Sequence, residues 1–272
     1  MMKKLALLPL VALAFTPALA QQAPIWPPKG DDVPAKFTPP VAADADYIKR
    51  EVMIPMRDGT KLYTVIVIPK GATNAPIVLT RTPYNAKGRA KRADSASMLA
   101  TLPLADEIFV KNGYIRVYQD IRGKYGSEGG YVVTRPVVGP LNDTKVDHTT
   151  DAYDTIDWLV NKANLPESNG KVGMIGSSYE GFTVVMALLH PHPALKVAAP
   201  QSPMVDGWMG DDWFHYGAFR LANIAWLGAQ TGYRGEGKAP PTGGYDDYDN
   251  FREVGSAGDW AKKSGYDQLP YW

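Results

Sequence analysis

The sequence contains no cysteine among its 272 residues. A disulfide framework, a cysteine-ligated zinc or iron–sulfur site and a cysteine nucleophile are therefore excluded. Neither sign of charge is in excess, because 29 basic and 28 acidic residues give a formal net charge of +1. Such a balance gives no indication of a nucleic-acid partner or an anionic membrane surface.

The remaining composition is that of a globular protein, with 45% hydrophobic and 21% charged residues. The length suits one large domain, or one domain and part of a second. The 7 tryptophans and 15 tyrosines are a high aromatic content. They are consistent with bulky core packing or with an aromatic-lined pocket.

The first 45 residues are typical of targeting and linking sequence. Lys3 and Lys4 precede an apolar run over 5–15, and an Ala-x-Ala site ends at Ala20. This pattern predicts a secretory signal peptide over 1–20, and hence a periplasmic or secreted protein with no membrane contact after cleavage. An uncleaved anchor is the alternative, although the run is short for a spanning helix. Residues 21–45, rich in proline and alanine, are expected to form an extended arm.

Residues 46–200 alternate between predicted strands and predicted helices. Asp58-Gly59 between two alternating apolar segments predicts a hairpin. Helical spacing predicts helices over 97–111 and 151–160, the second capped by Thr149 or Thr150. The alternation predicts a parallel sheet covered on both faces. The predicted strands span 47–56, 61–68, 77–80, 115–119, 172–175 and 195–199.

The chain turns sharply from strand to helix at Ser178. An apolar strand ends at Gly176, and apolar residues recur at helical spacing after Gly181. This is the context of a nucleophile elbow, in which a strained turn presents one hydroxyl at the end of a parallel sheet. The usual Gly-x-Ser-x-Gly spacing is not met, since Glu180 stands where the second glycine is expected. A glycine and serine turn that caps an ordinary helix is the alternative.

Three further motifs accompany the elbow in order. They are Arg-Thr-Pro-Tyr-Asn at 81–85, Asp-Ile-Arg-Gly-Lys-Tyr-Gly-Ser-Glu-Gly at 120–129 and Ser-Pro-Met-Val-Asp-Gly-Trp at 202–208. With Gly-Ser-Ser-Tyr-Glu-Gly at 176–181, they resemble the cocaine esterase/X-prolyl dipeptidyl peptidase (CocE/NonD) family of serine hydrolases. Residues 208–216, with the elbow, resemble its α-amino acid ester hydrolases. The resemblance implies an α/β-hydrolase fold, partial over 46–200, followed over 201–272 by the start of a helical cap. The family's C-terminal jelly-roll domain is expected to be absent from this chain.

A serine hydroxyl needs a base within hydrogen-bonding reach, and that base needs an orienting carboxylate. His190 and His192 follow the helix that begins at the elbow, so they are expected about 15 Å or more from Ser178. His148 is expected to be a surface or cap residue, and His215 a packed cap histidine. The resemblance implies an acid and a histidine beyond the cap, so this chain is expected to be inactive by itself.

The oxyanion of acyl transfer needs preorganised donors. One is the backbone N–H of Tyr179, next to the nucleophile. The resemblance implies that the second is the Tyr84 hydroxyl, with a buried structural tyrosine as the alternative. The pair Asp211 and Asp212 lies among aromatic residues, where two carboxylates are costly to desolvate without a cation. The resemblance implies that Asp212 binds a substrate ammonium, although a surface or helix-capping pair is the alternative.

Three charged features are given structural interpretations. Asp120 and Arg122 are expected to pair and hold the loop that follows their strand. Glu180 is expected to form a hydrogen bond or salt bridge behind the elbow. The basic segment 88–94 is expected to be solvated.

The sequence thus predicts a serine hydrolase of α-amino acid esters and α-amino-acyl β-lactams that works through an acyl-enzyme. No metal or organic cofactor is implied. Its partner is a small ester or β-lactam with an α-amino group, and full-length relatives of this type are expected to form homo-oligomers. A general acyl esterase, an X-prolyl dipeptidyl peptidase and a non-catalytic secreted fragment are the alternatives.

Overall fold

The computed structural model describes residues 45–206, 209–210, 214–216, 218–219, 226, 229–230, 234–235 and 247–268. The predicted signal peptide and all but Ala45 of the predicted arm lie outside the described residues, as do Asp211 and Asp212.

Six strands form one mixed sheet in the order β1-β2-β4-β3-β5-β6. The hairpin strands β1 and β2 are antiparallel to each other, and β2 is antiparallel to β4. Strands β4, β3, β5 and β6 run parallel. The predicted hairpin is confirmed, whereas the prediction of a parallel sheet holds only for these four strands. The strands are β1 (Tyr47–Pro55), β2 (Lys61–Pro69), β3 (Ala75–Thr82), β4 (Ile115–Asp120), β5 (Ser168–Ser177) and β6 (Leu195–Gln201).

Helices connect the parallel strands. The predicted helix over 97–111 is divided at Pro103, because proline cannot donate a backbone hydrogen bond and restricts the residue before it. Of the described helices, none is long and apolar enough to cross a membrane. The helices are α1 (Ala86–Arg89), α2 (Met98–Thr101), α3 (Glu107–Lys111), α4 (His148–Val160), α5 (Tyr179–Leu189), α6 (Asp247–Val254) and α7 (Ala257–Ser264), with short strands β7 (Phe214–His215) and β8 (Ala218–Phe219) between α5 and α6.

Strand β3 lies at the centre of the sheet, and its apolar side chains are buried on both faces. Ile77 and Leu79 pack with Val184 of α5 on one face. On the other face of the sheet, Val65 of β2 and Tyr118 of β4 pack beneath α1 and α2. Helices therefore cover both faces of the sheet, in agreement with the α/β-hydrolase fold that the resemblance implied.

Helix α4 begins earlier than predicted. Asp147, and not Thr149 or Thr150, is the N-cap: its carboxylate accepts the N–H groups of both threonines. The Thr150 hydroxyl in turn accepts the backbone N–H of Asp147 at 2.9 Å, which completes a capping box. A threonine therefore stands where Glu or Gln is usual, and this is why the sequence pattern placed the cap too late.

The predicted pairing of Asp120 with Arg122 is wrong. The Arg122 guanidinium instead bridges Asp151 of α4 at 2.6 Å and Asp58 of the β1–β2 turn at 2.8 Å. The carboxylate of Asp120 accepts the N–H of Ala86 at 2.6 Å and of Gly126 at 3.1 Å. Side chains two residues apart on a strand point to the same face, but β4 ends at Asp120 and Arg122 lies in the turn that follows, so this rule does not apply to the pair.

Burial makes Asp120 sensitive to pH. It raises the pKa of this carboxyl from 3.8 to about 6, although two backbone N–H groups and Lys124 oppose the shift. The folded chain therefore holds this proton more tightly than the unfolded chain. Protonation of Asp120 stabilises the folded chain below pH 4, and this stabilisation is lost as the pH rises to 6.

The parent is compared with Asp120→Asn by the difference between their free energies of unfolding. We expect this difference, parent minus variant, to fall by up to about 3 kcal/mol as the pH rises from 4 to 6. Urea unfolding of both proteins between pH 4 and pH 7 measures the difference. A difference that is constant, or that grows with pH, would contradict the shifted carboxyl.

Candidate active site

Ser178 lies between β5 and α5 in a strained conformation. Its φ of 58° and ψ of −120° are values that non-glycine residues rarely adopt. The strain, about 1–3 kcal/mol, is held in place by the surrounding backbone. The Ser178 N–H donates to the Gln201 carbonyl at 3.0 Å, and its own carbonyl accepts the Phe182 N–H at 2.9 Å. This geometry is that of a nucleophile elbow.

Close packing at two glycines accounts for the unusual spacing around Ser178. A Cβ at Gly176 would lie 2.5 Å from the backbone of Glu180, and a Cβ at Gly181 would lie 2.5 Å from the Gln201 carbonyl oxygen. Both distances are shorter than real contacts allow. Gly181 thus makes the close approach between α5 and β6. Glu180 fits where a glycine is usual because Gly176 has no side chain to oppose it.

Two donors converge beside Ser178. Tyr179 is the first residue of α5, so its N–H is one of those that a helix leaves without an intrahelical acceptor. Tyr84 lies in the loop after β3, and its hydroxyl lies beside Ser178 and is hydrogen-bonded to Trp226. Because an indole N–H can only donate, the Tyr84 oxygen accepts from Trp226. The elbow and the β3 loop thus bring together the three residues that the sequence predicted for acyl transfer.

The surroundings of Tyr84 keep its hydroxyl protonated. Burial, reinforced by the negative charge of Glu180, raises the pKa of Tyr84 to about 12. The Tyr84 N–H donates to the Thr82 hydroxyl at 2.9 Å, which fixes the loop. Near neutral pH the phenol is therefore a hydrogen-bond donor, as an oxyanion requires.

The Tyr179 side chain is buried on the side of α5 that faces α4. Its hydroxyl accepts the Thr134 N–H at 3.1 Å, and its ring lies 6.5 Å from that of Tyr131 between centroids. His148 packs edge-on against Phe182 at 5.3 Å and against Tyr179 at 6.2 Å between ring centroids. It is only 5% exposed, so the prediction of a surface or cap residue is wrong. Burial lowers the pKa of His148 to about 3, which keeps the imidazole neutral.

A cavity of about 650 Å³ opens directly at Ser178. Asp206 and His215 line it, and no Lys or Arg is among its described lining residues. Asp211 and Asp212, which follow the lining residue Gly210, lie outside the described residues. Asp206, which the sequence analysis did not single out, precedes this pair in sequence and is the carboxylate among the described lining residues of the cavity.

The other histidines lie away from Ser178. His190 stacks on Tyr153 at 5.3 Å between ring centroids, and His192 contacts Asp157 at 3.4 Å, both at the far end of α5. Neither can act as the base, as predicted from the length of this helix. Among the described residues, no histidine is hydrogen-bonded to the Ser178 hydroxyl, and no group of three or more metal-ligating side chains converges.

Two residues near the site were not recognised from the sequence. Trp226 contacts Tyr84 from a segment more than 40 positions after the elbow, and such a contact has no sequence signature. Arg89 belongs to the segment that was expected to be solvated, yet it donates to Glu180 at 2.8 Å. The predicted salt bridge behind the elbow is thereby confirmed.

Known proteins are similar to this chain in sequence and in structure. An α-amino acid ester hydrolase structure is 65% identical, with a TM-score of 0.82 over 89% of this chain and 39% of that chain. An aminopeptidase from a marine sediment archaeon, Thaumarchaeota archaeon, is 53% identical, with a TM-score of 0.80 over 88% of this chain and 39% of that chain. The cocaine esterase of Rhodococcus sp. (strain MB1 Bresler) is 33% identical over 165 residues, which are 60% of this chain and 25% of the esterase.

These comparisons agree with the mixed sheet and its covering helices. The chain spans less than half the length of each of these relatives. The family profile of the X-Pro dipeptidyl-peptidases (S15 family) matches residues 58–272, from the β1–β2 turn to the last residue. The fold is an α/β-hydrolase fold, and the chain belongs to the X-Pro dipeptidyl-peptidase (S15, CocE/NonD) family of serine hydrolases.

Proposed function

We propose that this chain supplies the nucleophile, the oxyanion donors and an ammonium-binding wall of a hydrolase of α-amino acid esters and α-amino-acyl β-lactams. Ser178 is the nucleophile. The Tyr179 N–H and the Tyr84 hydroxyl bind the oxyanion. Asp206, with Asp211 and Asp212 in the same segment, supplies the negative charge for the substrate ammonium.

One observation carries the substrate class: the cavity at Ser178 has a carboxylate, Asp206, and no described Lys or Arg in its wall. A carboxylate in such a cavity favours a ligand with a positive charge close to the reacting carbonyl. An α-ammonium group lies one carbon from that carbonyl. A general acyl esterase would gain nothing from this charge.

The reaction follows from the positions of the donors. The ester carbonyl oxygen lies between Tyr84 and Tyr179, and the Ser178 oxygen attacks the carbonyl carbon. The Ser178 proton passes through a base to the leaving alcohol, and an acyl-enzyme remains. Water then releases the amino acid, or the amine of a β-lactam nucleus takes the acyl group. The resemblance implies that this base is a histidine oriented by a carboxylate.

The absence of cysteine makes a direct test possible. Ser178→Cys would place the only thiol of the chain at the elbow, since the sequence has 0 cysteines. A thiol with a pKa of about 8.5 is partly ionised at mildly alkaline pH, so acylation needs no separate base. Activated esters of phenylglycine and phenylacetic acid differ in the α-amino group, and intact mass follows acylation by each. The acylation rate with each ester is divided by the rate at which the same ester reacts with a small thiol in solution. This removes the difference in intrinsic reactivity between the two esters.

We expect the phenylglycine ester to be preferred about tenfold, the effect of one charged hydrogen bond. Asp206→Asn or Asp212→Asn in this background should reduce the preference, whereas Glu107→Gln, on exposed α3, should leave it intact. Ser202→Cys places the thiol in the same cavity but away from the elbow, and should show no preference. Equal normalised rates for the two esters at Cys in position 178 would rule out the ammonium site.

The name of one relative supports a second candidate function, which is cleavage of the amide bond after an N-terminal residue. The relative described as an aminopeptidase is 53% identical to this chain. Such a substrate carries the same α-ammonium group, so the ester test does not separate the two. Transfer of the phenylglycyl group from its anilide, compared with its ester, distinguishes a peptidase from an ester hydrolase.

The lysines and apolar run at the N-terminus support a periplasmic or secreted location for this hydrolase. The proline-rich segment 21–45 is suited to reach across to another subunit of a homo-oligomer.

A further inference from the structure

A second cavity, of about 750 Å³, also borders Ser178. Its wall includes Tyr84, Arg89 and Glu180. No step of the proposed reaction uses the two charged residues, although both lie next to the oxyanion donor. The Arg89 guanidinium carbon lies 5.7 Å from the centre of the Tyr84 ring, within the range of a cation–π interaction.

Glu180 is held tightly at this position. Its side chain is 9% exposed, and its carboxylate accepts from the Arg89 guanidinium at 2.8 Å. Gly176 has no side chain, and this leaves room for Glu180 directly behind the elbow. The ion pair therefore joins α5, whose first residue follows the nucleophile, to α1, which follows the Tyr84 loop.

The two charges act on Tyr84 in opposite directions. The negative charge of Glu180 favours the neutral phenol, and the positive charge of Arg89 favours the phenolate. The remaining neighbours of the Tyr84 hydroxyl, Ser178 and Trp226, are uncharged. The next charged group, Arg116, lies in the fields of both members of the pair and is itself paired with Asp106 at 2.9 Å.

We propose that Arg89 and Glu180 form a positioning pair that holds the Tyr84 hydroxyl at Ser178 and balances the charge around it. This inference rests on the proposed role of Tyr84 as an oxyanion donor. The pair fixes the phenol from behind, and because it is neutral as a whole it leaves the hydroxyl able to donate. The residue that breaks the usual elbow spacing, Glu180, thus has a function in the site.

The test is a titration of residue 84 in the full chain. 3,5-Difluorotyrosine, whose phenol ionises near neutral pH, is incorporated at position 84 and followed by fluorine NMR. In Glu180→Gln, Arg89 is left unpaired against the ring, and the titration midpoint should move to lower pH. In Arg89→Met, Glu180 is left unpaired, and the midpoint should move to higher pH. Arg89→Lys retains the charge and should stay closer to the parent than Arg89→Met.

Lys87→Met is the matched control. Lys87 is also on α1, but it pairs at 3.3 Å with Glu51 and is 60% exposed. Removing its charge should leave the midpoint unchanged. Shifts of the midpoint in opposite directions in Glu180→Gln and Arg89→Met support the proposal. If the pair were merely structural, losing either member would loosen the Tyr84 loop in the same way and shift the midpoint in the same direction.

Shifts of the same sign, or a shift in Lys87→Met as large as that in Arg89→Met, would overturn the proposal. If Arg89→Met does not fold, the midpoint of Glu180→Gln decides, and an unchanged midpoint there also overturns it. The titration needs no ester, so its result is independent of whether the proposed substrate class is right.

Discussion

Replacing Tyr84 with phenylalanine is expected to slow acylation at position 178 by about 10²-fold to 10³-fold, the usual effect of removing one oxyanion donor. The Tyr84 hydroxyl lies beside Ser178, and burial keeps it protonated near neutral pH. Phenylalanine preserves the packing of the ring but offers no donor. The rate is measured in the Ser178→Cys background with the activated phenylglycine ester, by quenching and intact mass.

Tyr63→Phe is a suitable control for this experiment. The Tyr63 hydroxyl donates to Glu51 at 2.6 Å at the β1–β2 hairpin, so its loss removes a phenol hydrogen bond outside the site. We expect its acylation rate to match that of the parent. If Tyr84→Phe also matched the parent, Tyr84 would be a structural tyrosine, and the second oxyanion donor would have to be sought elsewhere.

Gly123→Ala is expected to lower the free energy of unfolding by about 4 kcal/mol, an exceptional value for one methyl group. A Cβ at this position would lie 2.1 Å from the backbone nitrogen of Tyr131, where no flexible side chain can move aside. Its φ of +77° adds the usual penalty for a side chain in the left-handed region. The displaced segment carries Tyr131, which packs against Tyr179, so the damage would extend to the elbow.

Gly113→Ala separates the two causes of this loss. Gly113 has a similar φ of +73°, but nothing lies within 4 Å of an added Cβ. We expect it to lose only about 1 kcal/mol, because the left-handed penalty is partly offset by reduced freedom of the unfolded chain. Urea unfolding of both variants measures the difference. Equal losses would mean that the loop moves freely and that its close packing contributes nothing.

The strands that place the site were predictable because their apolar patterns are local. Asp58-Gly59 identifies the β1–β2 hairpin, and the apolar runs that end at Thr80 and Gly176 identify the strands that carry Tyr84 and Ser178. The turn from strand to helix at the elbow follows from these patterns. Such features depend on residues close in sequence, and the sheet assembled from them agrees with the expected fold.

The sequence-based predictions that were wrong concern long-range contacts of charged and buried side chains. Arg122 could have paired with Asp120, but α4 and the β1–β2 turn bring Asp151 and Asp58 nearer. His148 was expected near the surface, but the aromatic rings of α5 enclose it. Which of several carboxylates an arginine meets depends on how the elements pack, and a single sequence does not specify this.

The backbone conformation of Ser178 has a consequence for the evolution of this fold. Its φ of 58° and ψ of −120° suit glycine better than any residue with a side chain. Relieving such strain stabilises a fold, and stability is often gained at the expense of activity. In a lineage that no longer uses the hydroxyl, mutation would therefore drive position 178 towards glycine, the one change that both relaxes the turn and removes the nucleophile. Loss of catalysis at this elbow would leave a more stable protein, and a return to serine would require selection to oppose that stability.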